Sequence, residues 1–398
     1  MPNVRSQSDP RIRLLWVLSA ATFLIFFQAF MVAPLIPHLA SFFNVSVGTI
    51  GLIVPAYLLP YGATTLVYGP LSDRLGRRTI ILASFAGFIL FTGFTALADS
   101  AAALFWLRLI TGLVASGVVP IALALVGDHF DYKERGRALG WLFGAMAGGM
   151  AFGSTLGAVL EPFLTWQGLF LGVAVLSILV FITLIPFQTM LDQRVTVNVP
   201  STLRQVGMGL LMLLKSKRGA RTYTYVLFNG IFHSGVFTWL GYYFAKRYGL
   251  GDVGVGLALL GYGIPGFLFG PVIGRLADRM GRSHFIPIGF VIAGLSTAVL
   301  SLHLPVIVAA LLVTTLSLGY DMTQPLLAGI VTDLTSKRGL AMGLNVFCLF
   351  LGFGVGSLVF SGALLLGFRM ALLIFGFFAI LASVLAIQLF RLEKQPNG

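Results

Sequence analysis

Apolar residues run along this chain in long blocks, broken by short clusters of charged and turn-forming residues. With a helical period, the blocks predict twelve spans at roughly 14–39, 48–70, 78–98, 102–127, 138–160, 166–187, 222–245, 253–275, 284–303, 305–332, 340–363 and 368–391. These are numbered spans 1 to 12. Between Leu14 and Ser72 there is no Lys, Arg, Asp or Glu, a stretch far longer than the ~20 apolar residues one crossing needs. Backbone groups in lipid must be satisfied within the segment, so the spans are expected to be helices. The period-2 alternation of a membrane barrel is absent. The predicted fold class is an all-α membrane protein with twelve transmembrane helices.

Composition agrees: 58% of residues are hydrophobic and 10% charged, against about 25% charged in a soluble domain. The net charge of +13 raises the question of nucleic acid, and its placement argues against that. The basic residues cluster between spans, as the positive-inside rule requires. Of 26 Lys and Arg, 22 fall on one side, Lys246, Arg247 and Arg369 on the other, and Arg108 inside span 4. Both termini are therefore expected to be cytoplasmic, in a plasma (inner) membrane. The first apolar run is too long for a signal-peptide core and lacks a convincing cleavage site, so it reads as span 1. Cys348 is the single cysteine, and the five histidines show no metal-ligand spacing. No cofactor or metal is called for. There is no Gly-Lys dipeptide, hence no Walker A phosphate loop, which excludes ATP-driven transport by this chain. No nucleophile elbow or other catalytic motif is present, so the chain does not read as an enzyme.

The longest polar interruption, 188–221, divides the chain into a half at 1–187 and a half at 222–398. Within it Thr202 to Leu214 is apolar enough to lie along the membrane surface, its basic end toward anionic headgroups, or to form an ordinary solvated loop. The halves are related by an internal repeat. Gly69-Pro-Leu-Ser-Asp73-Arg-Leu-Gly76-Arg77 recurs as Gly274-Arg-Leu-Ala-Asp278-Arg-Met-Gly281-Arg282, at an offset of 205, and Asp128 recurs as Asp333 at the same offset. After a small contraction Gly140, Gly149, Gly153 and Ser154 match Gly343, Gly352, Gly356 and Ser357 at an offset of 203. Two pseudo-symmetric six-helix halves follow, related by an axis along the membrane normal.

The segment Gly69, Leu71, Asp73, Arg74, Gly76, Arg77 and Arg78 in the 2–3 loop resembles the signature of the major facilitator superfamily, and the resemblance extends over essentially the whole chain. It implies a latch between the halves at Asp73, Arg77 and Asp128 that helps set the outward-open state, with a mirror set at Asp278, Arg282 and Asp333. Gly69 and Gly274 would let helices approach closely. The plainer reading is a topological anchor and a solvated turn. Span 5, with Gly140, Gly149, Gly153, Ser154, Gly157 and Ala158, is similar to the glycine motif of drug:proton antiporters. Ser154 replaces the motif's proline and Ala158 its last glycine. Small residues at that spacing also pack helices closely in any transporter.

Several polar residues fall inside spans. Arg108 in Leu104-x-x-x-Arg108-x-x-Thr-Gly112 has a spacing similar to the span 4 motif of proton-linked members, where the arginine is implicated in proton transfer. Thr111 stands where the family often has Gln. Lying roughly 9 Å deep, Arg108 could instead snorkel to the surface. Asp321, roughly 24 Å along span 10, would be desolvated there, which suits a group that takes and releases a proton. It could equally be satisfied by neighbouring hydroxyls. His233, in span 7 after Asn229, is a second candidate carrier or a hydrogen-bonded core residue. Span 1 holds no acid, only Gln28, where many proton-linked drug exporters carry one. In this superfamily spans 1, 4, 7 and 10 line the cavity, which implies Gln28, Arg108, His233 and Asp321 around it. Tyr57, Tyr61, Asn229, Trp239, Tyr320 and Gln324 join them as candidate cavity residues, with Tyr242 and Tyr262 as further rings for stacking or packing.

The function expected is proton-coupled efflux of a small apolar or amphipathic molecule, a drug or a metabolite, by alternating access. The expected partners are that substrate, protons and membrane lipid, with no nucleic acid and the chain acting as a monomer. The nearest rival is a proton-coupled importer or metabolite porter of the same fold. A transport-dead sensor or scaffold would have no evident need for two latches, and a membrane enzyme would need a clustered catalytic set.

Overall fold

In the computed structural model, residues 9–130, 132–191, 203–266, 268, 282–335, 338–391 and 393 are described, and they are helical with short turns. Among the described residues, nine helices are long and apolar enough to cross a membrane. One of these, Ala138–Leu191, is two spans joined by a turn at Thr165 (φ 60°, ψ 161°). Lys217–Tyr248 supplies span 7. Span 8 begins at Asp252, and most of its second part lies outside the described residues. The twelve-helix, all-α membrane architecture is thus the one read from the chain.

Local chemistry sets the ends. Asp9 caps span 1, accepting from the Arg11 amide at 2.9 Å while its carboxylate holds the Arg11 guanidinium at 2.7 Å. Ser46, Ser100 and Ser216 cap the helices that follow them, each supplying an acceptor to an otherwise orphaned amide. Gly76 and Gly367, both at φ 89°, make the tight 2–3 and 11–12 turns. At the start of span 7, Arg218 and Arg221 both reach Glu393, at 2.7 and 2.5 Å, tying the tail to the second half. Residues 203–215 form a helix, packed beside the starts of spans 7 and 11.

Four spans expected to be continuous are interrupted, a correction to spans 1, 2, 4 and 8. The helix Pro10–Phe30 stops before Pro34. The helix Val47–Gly51 stops before Pro55, and Ile53–Leu75 resumes. Ala101–Ala115 and Val118–His129 are separated by a break at Ser116, four residues before Pro120. Asp252–Ala258 ends in turns at 259–263, before Pro265. In each case the proline lacks the N–H that would pair with the carbonyl four residues earlier, and its ring crowds that carbonyl. The repeat does not repeat the breaks. Pro60 and Pro265 are equivalent at the 205 offset, as are Pro120 and Pro325. Yet Pro60 and Pro325 stay inside unbroken helices.

Glycines draw the helices together in both halves. A Cβ on Gly149 or Gly153 would lie 2.5 Å from the Phe23 or Phe27 carbonyl of span 1. In the second half, Cβ atoms on Gly352 and Gly356 would lie 2.4 and 2.1 Å from the Leu227 and Ile231 carbonyls of span 7. The span 5 motif is therefore a backbone-to-backbone packing ladder, duplicated in span 11. Gly140 has nothing within 4 Å.

Call the end of the bundle that carries the 2–3 turn and residues 188–221 the linker end, and the opposite one the far end. Among the described residues, many contacts between halves lie at the far end and in the middle. A Cβ on Gly241 would meet Pro34 Cα at 2.7 Å, one on Gly51 the Trp239 indole at 2.6 Å, and one on Gly256 the Thr155 carbonyl at 2.9 Å.

Candidate functional site

Two buried polar clusters face the middle of the bundle, one in each half. The first is built on the break in span 1. With no backbone donor following in register, the Gln28 and Ala29 carbonyls are left at a helix end. Arg108, fully buried, reaches across from span 4. One terminal nitrogen donates to Gln28 Oε1 at 2.8 Å and the Gln28 carbonyl at 3.3 Å. The other donates to the Ala29 carbonyl at 3.0 Å, and Nε to the Ile53 carbonyl at 3.4 Å. Its guanidinium lies 4.3 Å from the Tyr57 ring centroid. Arg108 does not snorkel. It caps the C-terminal end of a broken helix, where a cation is favoured by orphaned carbonyls and by the helix dipole. Gly112 makes the approach of span 4 to span 2 feasible, since a Cβ there would lie 2.2 Å from the Tyr57 carbonyl.

The second cluster is built on the break in span 8. Gly263 adopts φ 80°, and its N–H donates to Ser317 Oγ at 2.8 Å. The Ser317 hydroxyl donates in turn to Asp321 Oδ2 at 3.1 Å. A Gly266 backbone N–H donates to the same carboxylate, and a Cβ on Gly266 would stand 2.5 Å from Asp321 Oδ1. Ser317 and Asp321 share one face of span 10, so the helix presents a polar stripe to the amides freed by the break. Among the described residues no Lys, Arg or His forms an ion pair with Asp321.

In the same half, Tyr262 pairs with His233. Its hydroxyl lies 2.7 Å from the imidazole nitrogens, and the imidazole packs 3.7 Å, centroid to centroid, against Tyr320. One helical turn toward the linker end, Asn229 Nδ2 donates to Gln324 Oε1 at 3.1 Å, and Thr323 Oγ1 donates to Asn229 Oδ1 at 3.1 Å. The predicted residues Asn229, His233, Tyr320, Asp321 and Gln324 are thus brought together, and Gln28, Tyr57 and Arg108 form the opposite group. Ser317, Thr323, Gly263 and Gly266 were missed. Ser317 was legible as the residue one turn before Asp321; the glycines mattered only once Pro265 broke the helix.

Between the clusters lies an aromatic layer. Tyr61 stacks on Phe350 at 4.4 Å, Phe26 meets Phe350 at 6.0 Å, and Phe30 meets Phe237 and Phe353 at 5.9 and 6.1 Å. Tyr57 Oη, Tyr61 Oη and Gln28 Nε2 are buried beside it without a hydrogen-bond partner. Trp239 sits apart, in the far-end seal, its Nε1 donating to the Ser357 carbonyl at 3.0 Å. Tyr242 packs on Phe368.

Of the predicted latches, Arg282 Nη1 and Asp333 Oδ2 form an ion pair at 3.2 Å. Arg77 is buried, and Gly69 has nothing within 4 Å of a Cβ position. The side chains of Asp73 and Asp128, and all of Gly274 and Asp278, lie outside the described residues.

Comparison with known proteins agrees with this architecture. The family profile described as Major Facilitator Superfamily matches residues 18–357 and 252–398. "Uncharacterized MFS-type transporter YceJ" of Bacillus subtilis (strain 168) is 28% identical over 282 residues, covering 70% of this chain and 70% of that protein. "Chloramphenicol resistance protein" of Pseudomonas aeruginosa is 31% identical over 141 residues, covering 35% of this chain and 34% of that protein. A solved bacterial homolog to the human lysosomal transporter Spinster, in an inward-facing and unoccupied conformation, aligns with a TM-score of 0.77 at 17% identity, over 98% of this chain and 100% of that one. At that identity the likeness speaks to the fold.

Proposed function

Since the chain belongs to the Major Facilitator Superfamily and is a multi-pass membrane transporter, we propose that it exports a small apolar or amphipathic molecule in exchange for protons, by alternating access. Asp321 is the observation that carries this reading. It is a buried carboxylate held by the Ser317 hydroxyl and the Gly266 amide, with no cationic partner among the described residues, so it can gain or lose a proton without breaking an ion pair. Tyr262 and His233 form a separate hydrogen-bonded pair in the same half. Arg108 serves by holding the broken end of span 1 in place, and a direct part in proton transfer is not needed of it.

The substrate class follows from the residues between the clusters. Rings from both halves offer apolar faces, while Tyr57 Oη, Tyr61 Oη and Gln28 Nε2 offer buried polar atoms without partners. A molecule with an apolar body and a few hydrogen-bonding groups satisfies both, since unpaired buried polar atoms cost free energy that such a ligand recovers. The partial likeness to a protein named for chloramphenicol resistance supports export. Rocking of the halves would open the linker end, on the cytoplasmic side, and the far end alternately, with the Arg282–Asp333 pair and the 2–3 turn as parts of the linker-end latch.

The test is transport of radiolabelled chloramphenicol and of ethidium in proteoliposomes under an imposed pH gradient. Movement against the direction of proton flow is expected, with Asp321→Asn abolishing gradient-driven movement and sparing gradient-free exchange. Accumulation in the direction of proton flow would favour the importer reading. Gradient-driven transport persisting in Asp321→Asn and vanishing in His233→Gln would move the proton to the histidine.

A further inference from the structure

At the far end one imidazole stands between two carboxylates that belong to different halves. His38 lies on Ile36–Phe42, the short helix that continues span 1 beyond its break. Its Nε2 is 2.9 Å from Glu161 Oε1, at the end of span 5. Its Nδ1 is 3.3 Å from Asp252 Oδ2, the first residue of span 8. All three donor groups lie within 4.8 Å of one another. Glu161 is nearly fully buried, and His38 and Asp252 are about one-third exposed at the mouth. None of the three belongs to the clusters described above.

We propose that His38, Glu161 and Asp252 form a proton-dependent clasp that closes the far mouth across the two halves. The reading rests on alternating access and on nothing about the substrate.

A neutral imidazole has one N–H and one lone pair. It can donate to Glu161 or to Asp252, and the remaining nitrogen then turns its lone pair toward a carboxylate oxygen. Imidazolium donates to both at once, so the arrangement with both contacts formed is the one that holds a proton. Without it, two carboxylates face each other across the seam between the halves, and repulsion favours parting them.

Among the described residues no other charge is placed to replace the proton. On the neighbouring end of span 7, Lys246 lies over the Tyr242 ring at 5.6 Å, Arg247 donates to the Leu302 carbonyl, and the Tyr248 hydroxyl donates to the Leu304 carbonyl. The segment Val47–Gly51 carries no titratable side chain. Within Ala138–Leu191 Glu161 is the one charged residue. The close approaches of Pro34 to Gly241 and of Thr155 to Gly256 lie beside the triad, so parting the triad and unsealing the mouth are the same movement.

The sign is therefore fixed. Acid at the far side favours the closed mouth, and alkali favours opening. Uptake of one proton changes the closed-to-open ratio by up to about tenfold per pH unit. In a proton-driven exporter, protons from the far side would then favour reclosing that mouth.

Spin labels at Ser41→Cys and Val253→Cys, in a Cys348→Ser background, span the mouth at exposed positions. Their distance is read in lipid, without substrate or gradient, between about pH 5.5 and about pH 8, the range in which histidine titrates. A short distance at acid pH and a growing long-distance population at alkaline pH are expected. His38→Gln should remove that dependence. His38→Lys, carrying a fixed charge, should keep the short distance at both pH values. Asp321→Asn should leave the dependence intact, so failure of the clasp and failure of the proton-carrier reading are separable. An unchanged wild-type distance across this range overturns the proposal. So does a distance that answers to added Zn²⁺ and not to pH, because the same donors would then hold a cation.

Discussion

The two halves of this transporter place opposite charges at opposite kinds of helix break. In the first half a cation, Arg108, sits at the C-terminal end left by the break in span 1. In the second half an anion, Asp321, accepts from the Gly266 amide at the break in span 8 and from the Ser317 hydroxyl, which the Gly263 amide orients in turn. Each charge is of the sign its helix end favours. Their surroundings differ in what they leave unspent. Arg108 is held by three carbonyls, an amide oxygen and a ring face, and an arginine so engaged keeps its proton. Among the described residues Asp321 is held by neutral donors alone, which on the proposed function leaves it free to change protonation. On the proposed function, a duplicated fold thus uses one device twice, once to fix a backbone and once to carry a proton.

The comparison breaks most forcefully at Arg108. Arg108→Ala leaves buried carbonyls of the span 1 end without donors, and a loss of about 3 kcal/mol of stability is expected. Thermal unfolding in detergent, read beside expression level, measures it. Arg108→Lys should recover only part, because one ammonium cannot reproduce the planar fork that spans Gln28 and Ala29. An Arg108→Ala protein that melts like wild type yet fails to couple protons would make the arginine a relay and dissolve the distinction between halves.

Asp321→Asn should do the converse. The amide preserves shape and can still accept from Ser317, so melting should shift by less than about 1 kcal/mol. Gradient-driven transport should fall by about a hundredfold or more, which is the scale expected when a proton-transfer group is removed. A melting loss as large as that of Arg108→Ala would mean that the acid is structural.

The sequence carried one side of this contrast better than the other. Twelve spans and the repeat were legible because lipid permits few backbone solutions and apolar length is easily counted. Asp321 and Arg108 were legible as charges inside apolar runs. Arg108's task was not, because it depends on orphaned carbonyls, and those appear only where Pro34 interrupts a run that hydropathy reads as continuous. The same prolines were visible from the start, yet Pro60 and Pro325 stay inside unbroken helices, so proline position alone did not say which runs would break. Facing within the bundle was harder still. Trp239 and Tyr61 are both apolar-span aromatics, yet one seals the far end and the other meets Phe350 in the middle. The triad at His38, Glu161 and Asp252 was out of reach, since its members are far apart in the chain and none lies deep inside a span.

The glycine ladders sharpen the comparison at a smaller scale. Gly356→Ala places a Cβ 2.1 Å from the Ile231 carbonyl, and Gly153→Ala places one 2.5 Å from the Phe27 carbonyl. Backbone cannot yield as a side chain can, so about 1–3 kcal/mol should be lost at each site. The loss should be greater at Gly356, where the gap is narrower. Unfolding of the paired variants in the same detergent gives the ranking. Equal and negligible shifts would show that these helices separate easily and that the span 5 motif serves something other than close packing.

The smallest expected effect concerns the turns that end spans 5 and 11. They have nearly the same backbone: Thr165 at φ 60° and ψ 161°, Gly367 at φ 89° and ψ 158°. This region is open to glycine and costs other residues about 1–3 kcal/mol. Threonine is a poor choice for it, because its branched Cβ crowds the neighbouring carbonyl. What it returns is a long, exposed hydrogen bond from the Gly168 amide to its Oγ1 at 3.3 Å, which is worth little in water. Thr165→Gly should therefore stabilise the first half, by about 1 kcal/mol once the greater freedom of glycine in the unfolded chain is set against the strain. Gly367→Thr should destabilise the second half by at least as much. The double exchange tests whether the two turns are interchangeable: if the shifts cancel, they are. If Thr165→Gly lowers the melting temperature, the threonine is holding the turn in a way its single hydrogen bond does not account for, and the halves differ there too.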